Sequence, residues 1–371
     1  MATELIFDSF NRTDSRPKST NESVFQFYNR SSWPSMGRTS EFITNAVEQY
    51  PAADRPEMVA RLRKDDHIRS AEFELLFFQL LTRTGFDVEV HPELNNGSAR
   101  RPDFLLRTPD GDPMLIEAIT IQPPDESGLA DHAVEVLMEG LRDARNESYR
   151  IVAKVSGRTE KTPPIRKFVD QVQRWLSELG AEPRHTSATK DWKFEGLTVT
   201  LDAHPVRSGD ADSNASLLTA YHRGPVMVDG VSNLRTKLQT KAGAYGKTGL
   251  PFVVAINCQN AFHNDIDSCS ALLEEGPPNS RRANRGLWSA GRYSRLSGAW
   301  IFSNFSSIAF LRSPHTLYLN PGASHPVPEA LHRFAHAHFS SSAGWETTRS
   351  TFLIEEAFDL PADWPGSSGP A

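Results

Sequence analysis

Cysteine is scarce in this chain, and long apolar runs are absent from it. The 371 residues include two cysteines, Cys258 and Cys269, and no CxxC pair, so neither a disulfide framework nor a cysteine-rich zinc site is expected. No stretch approaches the roughly 18 consecutive apolar residues of a transmembrane helix. No basic start followed by an apolar segment marks a signal peptide. We therefore expect a cytoplasmic protein that makes no membrane contact.

A surplus of basic charge is also missing. The chain has 40 Lys and Arg against 46 Asp and Glu, a formal net charge of −6, so any contact with nucleic acid must come from local patches. The GxSxG, P-loop and GxGxxG patterns do not occur. Serine hydrolases, P-loop nucleotidases and dinucleotide-binding enzymes therefore receive no support.

The hydrophobic pattern predicts an α/β protein with a mixed central β-sheet flanked by helices. The continuous apolar segment PFVVAIN is typical of a strand that is buried on both faces. The regions that we expect are an irregular and helical arm (1–63), a core (64–270) with an insertion at about 125–230, a C-terminal α+β extension (271–360) and a flexible tail (361–371).

One stretch, residues 71–120, combines acidic residues with the pattern of a sheet. A helix over 66–84 is apolar almost all round and carries Glu72 and Glu74. Gly85 predicts the end of that helix. A buried glutamate in such a helix needs a partner, because an unpaired buried charge is costly.

Two short strands follow this helix and carry one acid each. They are predicted over 102–106 and 114–121, joined by a Pro-Asp-Gly turn. The hairpin brings Asp103 and Glu117 near each other on neighbouring strands. Converging carboxylates at a sheet edge are how proteins hold hard divalent cations. We therefore expect Asp103 and Glu117 to hold Mg²⁺, with Mn²⁺ as an alternative.

These residues resemble the PD-(D/E)xK nuclease superfamily. The matching features are a helix glutamate, a glycine after it, and Pro102-Asp103 and Glu117-Ala118 on consecutive strands. The segments LQTKAGAYGKTGLPFVVAIN, RGLWSAGRYSRLSGAWIF and LNPGASHPVP are also similar to bacterial proteins with this fold, so the resemblance spans roughly 70–330. It implies a restriction-endonuclease-like core and Mg²⁺-dependent hydrolysis of DNA, in restriction or defence. It also favours Glu74 over Glu72 as a third metal-binding acid.

The resemblance breaks at one position. The family's lysine should stand two residues after the strand glutamate, but this chain has Ile119 there. Lys241 or Lys154 could replace it from another element, and Lys241 fits better because its predicted helix would pack beside the strands that carry the acids. A polar side chain such as Thr120 or Gln122 is a further alternative. The last alternative is a site without activity.

Arginines concentrate in a second stretch. Residues 279–296 contain five arginines and no acid, interleaved with aromatic residues. Arginine with aromatic rings suits phosphate contacts and base stacking, whereas the ordinary interpretation is a solvated loop. The candidate DNA-contacting residues are Arg281, Arg282, Arg285, Trp288 and Arg292.

The sequence thus favours a Mg²⁺-dependent DNA endonuclease. The alternative from another class is a catalytically inactive nuclease-like fold that binds nucleic acid or protein. A toxin-type or structural protein is a third interpretation. Besides DNA, a second copy of the chain stays open as a partner.

Overall fold

Two compact units make up the chain in the computed structural model. The first consists of Met1–Lys18, Ser23–Gln122 and Asp229–Ala371, and the second of Ser19–Glu22 and Pro123–Val228. The insertion expected at about 125–230 overlaps the second unit. The structure describes residues 6–9, 11–18, 22–94, 96–122, 125–157, 159, 161, 163–179, 188–206, 216–223, 230–259, 265–273, 286–351 and 353–366.

The described residues begin with four helices and continue with a mixture of strands and helices. In chain order they are α1 (Val24–Arg30), α2 (Pro34–Glu48), α3 (Arg55–Leu62), α4 (Asp65–Arg83), β1 (Asp87–Val90), β2 (Phe104–Arg107), β3 (Pro113–Ile121), α5 (Asp125–Asp143), β4 (Tyr149–Gly157), α6 (Ile165–Glu178), β5 (Ala188–Phe194), β6 (Leu197–Pro205), β7 (Leu218–Arg223), α7 (Gly230–Ala242), β8 (Phe252–Cys258), α8 (Asp265–Leu272), β9 (Gly298–Ser303), β10 (His315–Leu319), β11 (His336–Ser340), β12 (Gly344–Thr348) and α9 (Ile354–Phe358).

The first unit is built on a mixed sheet, which in its described residues has eight strands in the order β1-β2-β3-β8-β9-β10-β11-β12. The strands β1, β2 and β3 form an antiparallel meander. The next two strands, β8 and β9, run parallel to β3, so the chain must cross over before each of them. The α/β class with a mixed central sheet is therefore confirmed.

Hydrophobic residues cover both faces of this sheet. Alternate side chains of β3 enter different clusters: Ile116 packs on the side of α4, whereas Leu115 packs on the side of α7. On the α4 side, Phe73 and Phe77 make edge contacts with Phe302, with ring centroids 5.5 Å and 5.6 Å apart. Cover on both faces explains why β8 is buried at every position.

The second unit has its own sheet, in the order β5-β6-β4-β7. Its core lies between this sheet and α6, where Trp175 packs on Trp192 with ring centroids 5.2 Å apart. Lys154, a sequence candidate for the missing lysine, lies on β4 with an exposed side chain.

The terminal regions are more regular than the sequence suggests. Helix α1 lies inside the predicted irregular arm, where Ser23 and Gln26 form a capping box at its start. Within the expected extension 271–360, β9 pairs with β8 and continues the main sheet. Among the described residues, every helix is too short or too polar to span a lipid bilayer.

Candidate functional site

Glu117 is the centre of the candidate site. It lies in the middle of β3 and is only 4% exposed. Side chains alternate along a strand, so Glu117 faces the same side as Leu115, which is the side covered by α7. A carboxylate in this position needs partners, because water cannot solvate it.

Lys241 and Tyr245 provide those partners. Lys241, in the last turn of α7, forms an ion pair with Oε1 of Glu117. The hydroxyl of Tyr245, one turn further along, donates to Oε2 of the same carboxylate. Burial and the charge of Glu117 raise the pKa of Tyr245, so its hydroxyl remains a donor. One segment therefore holds both oxygens of the strand glutamate.

Asp103 lies beside Glu117 at the start of β2. The pairing of Phe104 with Ile116, continued by one residue, sets Asp103 opposite Glu117. Its Oδ2 accepts a hydrogen bond from the backbone N–H of Ala118 at 2.6 Å. Burial, followed by the charge of Glu117, raises the pKa of Asp103 well above its ordinary value, whereas Lys241 acts in the opposite direction. The two carboxylates and the ammonium thus share one electrostatic environment.

Glu74 also acts on Asp103, but its own oxygens are committed elsewhere. Oε2 forms an ion pair with Arg61 of α3 at 2.7 Å, and Oε1 accepts the hydroxyl of Tyr50 at 2.9 Å. The charge of Glu74 contributes to the raised pKa of Asp103. Both of its oxygens thus already accept protein donors, and Glu74 acts on Asp103 through its charge. Its role as a third metal-binding acid, which the resemblance implies, stays a prediction.

His91 lies next to both Asp103 and Glu74. Its backbone N–H donates to the carbonyl of Asp103 at 2.9 Å. Its ring lies 3.1 Å from Asp54 through Nδ1 and 3.8 Å from Glu74 through Nε2. The residue has a φ of 47°, a left-handed conformation that is uncommon outside glycine. The local turn after β1 therefore fixes the backbone that carries Asp103.

Glu72 lies outside this group. It is fully buried, and its Oε1 accepts the backbone N–H of Ser307 at 2.9 Å. Burial raises the pKa of Glu72, and the bonds to Ser307 only partly offset that effect. Of the two helix glutamates, Glu74 is the one that acts on Asp103.

Replacing Glu72 with glutamine is expected to flatten the pH dependence of stability. A carboxyl with a raised folded-state pKa loses stability as pH rises from its unfolded pKa to its folded pKa. Glutamine keeps the acceptor for Ser307 and has no charge to bury. The free energy of unfolding should rise by on the order of 1 kcal/mol at neutral pH, and this difference should vanish in acid. Urea unfolding at both pH values measures it, and an equal difference at the two pH values would contradict the assignment.

Ile119 stands at the position where the resemblance implies a lysine. The side chain of Ile119 packs against the apolar cluster on the α7 side, the same side that Glu117 faces. Lys241 then reaches Glu117 from α7 itself. The alternative candidate, Thr120, has its Oγ1 buried and makes no hydrogen bond within the described part of the chain.

The arginine-rich stretch is only partly described. Arg281, Arg282 and Arg285 lie outside the described residues. Trp288 is 3% exposed and packs against Trp345 of β12, so its ring is not open for stacking on a base in this conformation. Arg292 is exposed, and its guanidinium donates to the carbonyls of Ser289 and Gly286.

The donor set at the site suits one particular kind of metal. Within the described ranges, no three His, Cys, Asp or Glu side chains form a group that could hold a metal ion. Mg²⁺ needs fewer protein ligands, because it keeps several waters and is held by one or two carboxylates together with substrate phosphates. Asp103 and Glu117 could provide such a pair, because each carboxylate oxygen that accepts one hydrogen bond retains a further lone pair.

Sequence reasoning missed four side chains around these acids: Tyr50, Arg61, His91 and Tyr245. Tyr245 follows Lys241 by four residues, in the turn after the end of α7, and this spacing is the local signal that could have found one of them. Comparisons with protein families, with curated proteins and with solved structures find no match for this chain. The geometry itself defines a two-carboxylate site held by a lysine and a tyrosine from one segment.

Proposed function

We propose that this protein hydrolyses phosphodiester bonds of DNA with Mg²⁺, or alternatively Mn²⁺, as its cofactor. The observation that carries the proposal is the ion pair of Lys241 with Glu117 beside the carboxylate of Asp103. In metal-assisted phosphodiester hydrolysis, two acids can hold the cation and a neighbouring lysine can position water or a phosphate oxygen.

The order of the elements supports a restriction-endonuclease-like core. Helix α4 precedes the meander β1-β2-β3, and α7 then leads into β8, which runs parallel to β3. The second unit enters the chain between β3 and α7. In this interpretation Lys241 takes over the role of the family's strand lysine from the crossover helix, because Ile119 has become part of the core.

Each side chain has a definite task in this proposal. Asp103 and Glu117 would hold the cation, which when bound would polarise the phosphate and lower the pKa of a water molecule. Lys241 holds a positive charge next to Glu117 and is half-buried, so it can also donate to a phosphate oxygen or orient the attacking water. Tyr245 fixes the carboxylate of Glu117, and the N–H of Ala118 fixes Asp103.

The charge balance also favours a cation. Glu74 is paired with Arg61, so the two site acids face one ammonium, that of Lys241. That arrangement leaves an excess of one negative charge when both acids are ionised. A phosphodiester would add another. A divalent cation neutralises the excess and allows an anionic substrate to approach.

The test is cleavage of supercoiled plasmid DNA by the full chain, with Mg²⁺ and with EDTA in its place. We expect nicked and linear products only with the metal. Tight DNA binding with no cleavage under any divalent cation would overturn the proposal and favour the binding module. Neither binding nor cleavage would remove the nucleic-acid role altogether.

A further inference from the structure

A cleft of about 450 Å³ lies beside the acid site. Tyr245 belongs to both: its hydroxyl holds Glu117, and the residue also lines the cleft. Three segments that are far apart in the sequence form the walls. They are 242–252, 294–295 and 324–325.

The walls of this cleft carry charge of one sign. Lys247, Arg295 and His325 line it with exposed side chains. Ser294 and Ser324 add hydroxyl groups. Among the described residues that line it, none is an aspartate or a glutamate. The net charge of the chain is −6, yet the surface of this cleft, next to Tyr245, is cationic.

The backbone under these side chains is fixed. The amide of Asn96 donates to the carbonyl of Tyr245 at 2.7 Å and to that of Lys247 at 3.3 Å. The backbone N–H of Ser324 donates to the carbonyl of Ser294 at 2.7 Å, which joins the two other walls. The backbone that carries the cationic side chains is therefore already ordered, which lowers the entropic cost of binding an anion.

We propose that this cleft binds a backbone phosphate of DNA next to the phosphate that is hydrolysed, with Lys247 and Arg295 as the phosphate-contacting residues. The proposal rests on the proposed function. A strand whose phosphate reaches Glu117 carries a further negative charge on each neighbouring nucleotide. The cleft adjoins the site through Tyr245 and presents positive charge with hydroxyl donors, which are the groups that hold a DNA backbone.

Binding of a fluorescein-labelled DNA duplex tests the cleft without any cleavage. The full chain is titrated in EDTA, and anisotropy gives the affinity over a range of KCl concentrations. Lys247→Ala with Arg295→Ala should weaken binding about tenfold and lower the slope of log K against log salt by about one, because the two residues together neutralise one phosphate. The matched control, Lys64→Ala with Arg349→Ala, removes two exposed cations that do not line the cleft.

Two results would overturn the proposal. One is a slope that the cleft variant leaves unchanged, or that the control lowers equally. The other is displacement of the duplex by inorganic phosphate at the same ionic strength as a chloride control, which would define a site for a free anion. Hydrolysis is measured separately on plasmid DNA. If the cleft variant lowers the slope but the protein never cleaves DNA, phosphate binding in the cleft stands and hydrolysis is rejected. If the protein cleaves DNA but the cleft variant leaves the slope unchanged, hydrolysis stands and the cleft proposal is rejected.

Discussion

Replacing Lys241 with methionine is expected to remove DNA cleavage while binding of DNA persists. Methionine keeps most of the apolar stem but has no charge to offer Glu117 or a phosphate. Loss of one preorganised donor at a developing charge costs about 100-fold to 1000-fold in rate. Single-turnover cleavage of plasmid DNA with excess enzyme and Mg²⁺ measures this loss apart from any change in affinity.

The same helix offers a matched control. Lys237 lies one turn before Lys241 on α7, with an exposed side chain, so Lys237→Met removes an equal charge away from Glu117. It should cleave at the rate of the unaltered chain. Equal rates for the two variants would reject Lys241 as the functional lysine. Lys154→Met would then test the other candidate.

Lys241→Met also carries a cost in stability. Glu117 would lose its cationic partner while it stays buried, although the hydroxyl of Tyr245 remains on its other oxygen. Because Lys241 is partly exposed, loss of its ion pair with Glu117 should lower the free energy of unfolding by about 1–3 kcal/mol. Lys241→Arg restores the charge and should recover stability, but not the rate, because its guanidinium places the donors differently. Recovery of the rate as well would show that charge alone matters.

Replacing Asp103 with asparagine is expected to remove cleavage and yet to stabilise the metal-free protein. Burial and the charges of Glu117 and Glu74 raise the pKa of Asp103, so ionisation of its carboxyl costs more free energy in the folded state than in the unfolded state. Asparagine has the same size and can still accept the N–H of Ala118. The gain should be about 1 kcal/mol, or a rise of about 2–4 °C in Tm. Such sites commonly exchange stability for function.

Mg²⁺ should change the Tm of the unaltered chain but not that of the Asp103→Asn variant. A cation that binds only the folded state raises Tm, so Mg²⁺ should stabilise the unaltered chain and leave Asp103→Asn unchanged. Asp110→Asn is the control, because Asp110 is exposed in the turn between β2 and β3. Lower stability of Asp103→Asn, together with an undiminished response to Mg²⁺, would show that Asp103 is a structural carboxylate only.

Local sequence pattern accounts for much of the candidate site. The alternation of the two strands and the Pro-Asp-Gly turn are sufficient to pair Asp103 with Glu117, because a hairpin forms within a few residues. The helix that carries Lys241 could be connected to the acids as well, since a crossover helix before a strand buried on both faces packs beside that strand. These parts depend on short-range geometry.

The rest depends on contacts between distant segments. Arg61 meets Glu74 because α3 packs against α4, and Tyr50 meets it from the segment between α2 and α3. Neither residue has a local pattern that marks it. Trp288 looks like a stacking residue in an arginine-rich stretch, but Trp345 of β12 covers it. The same long-range pairing makes β9 to β12 part of the main sheet. Composition and periodicity do not contain this information.

The most direct test of the account is a crystal structure of the full chain grown with Mn²⁺, using anomalous scattering to locate the metal. The account predicts one peak within about 2–2.5 Å of a carboxylate oxygen of Asp103 and of Glu117, with the amine of Lys241 in the same pocket. Saturating Mn²⁺ without a peak between these carboxylates, or a peak elsewhere in the chain, would contradict it.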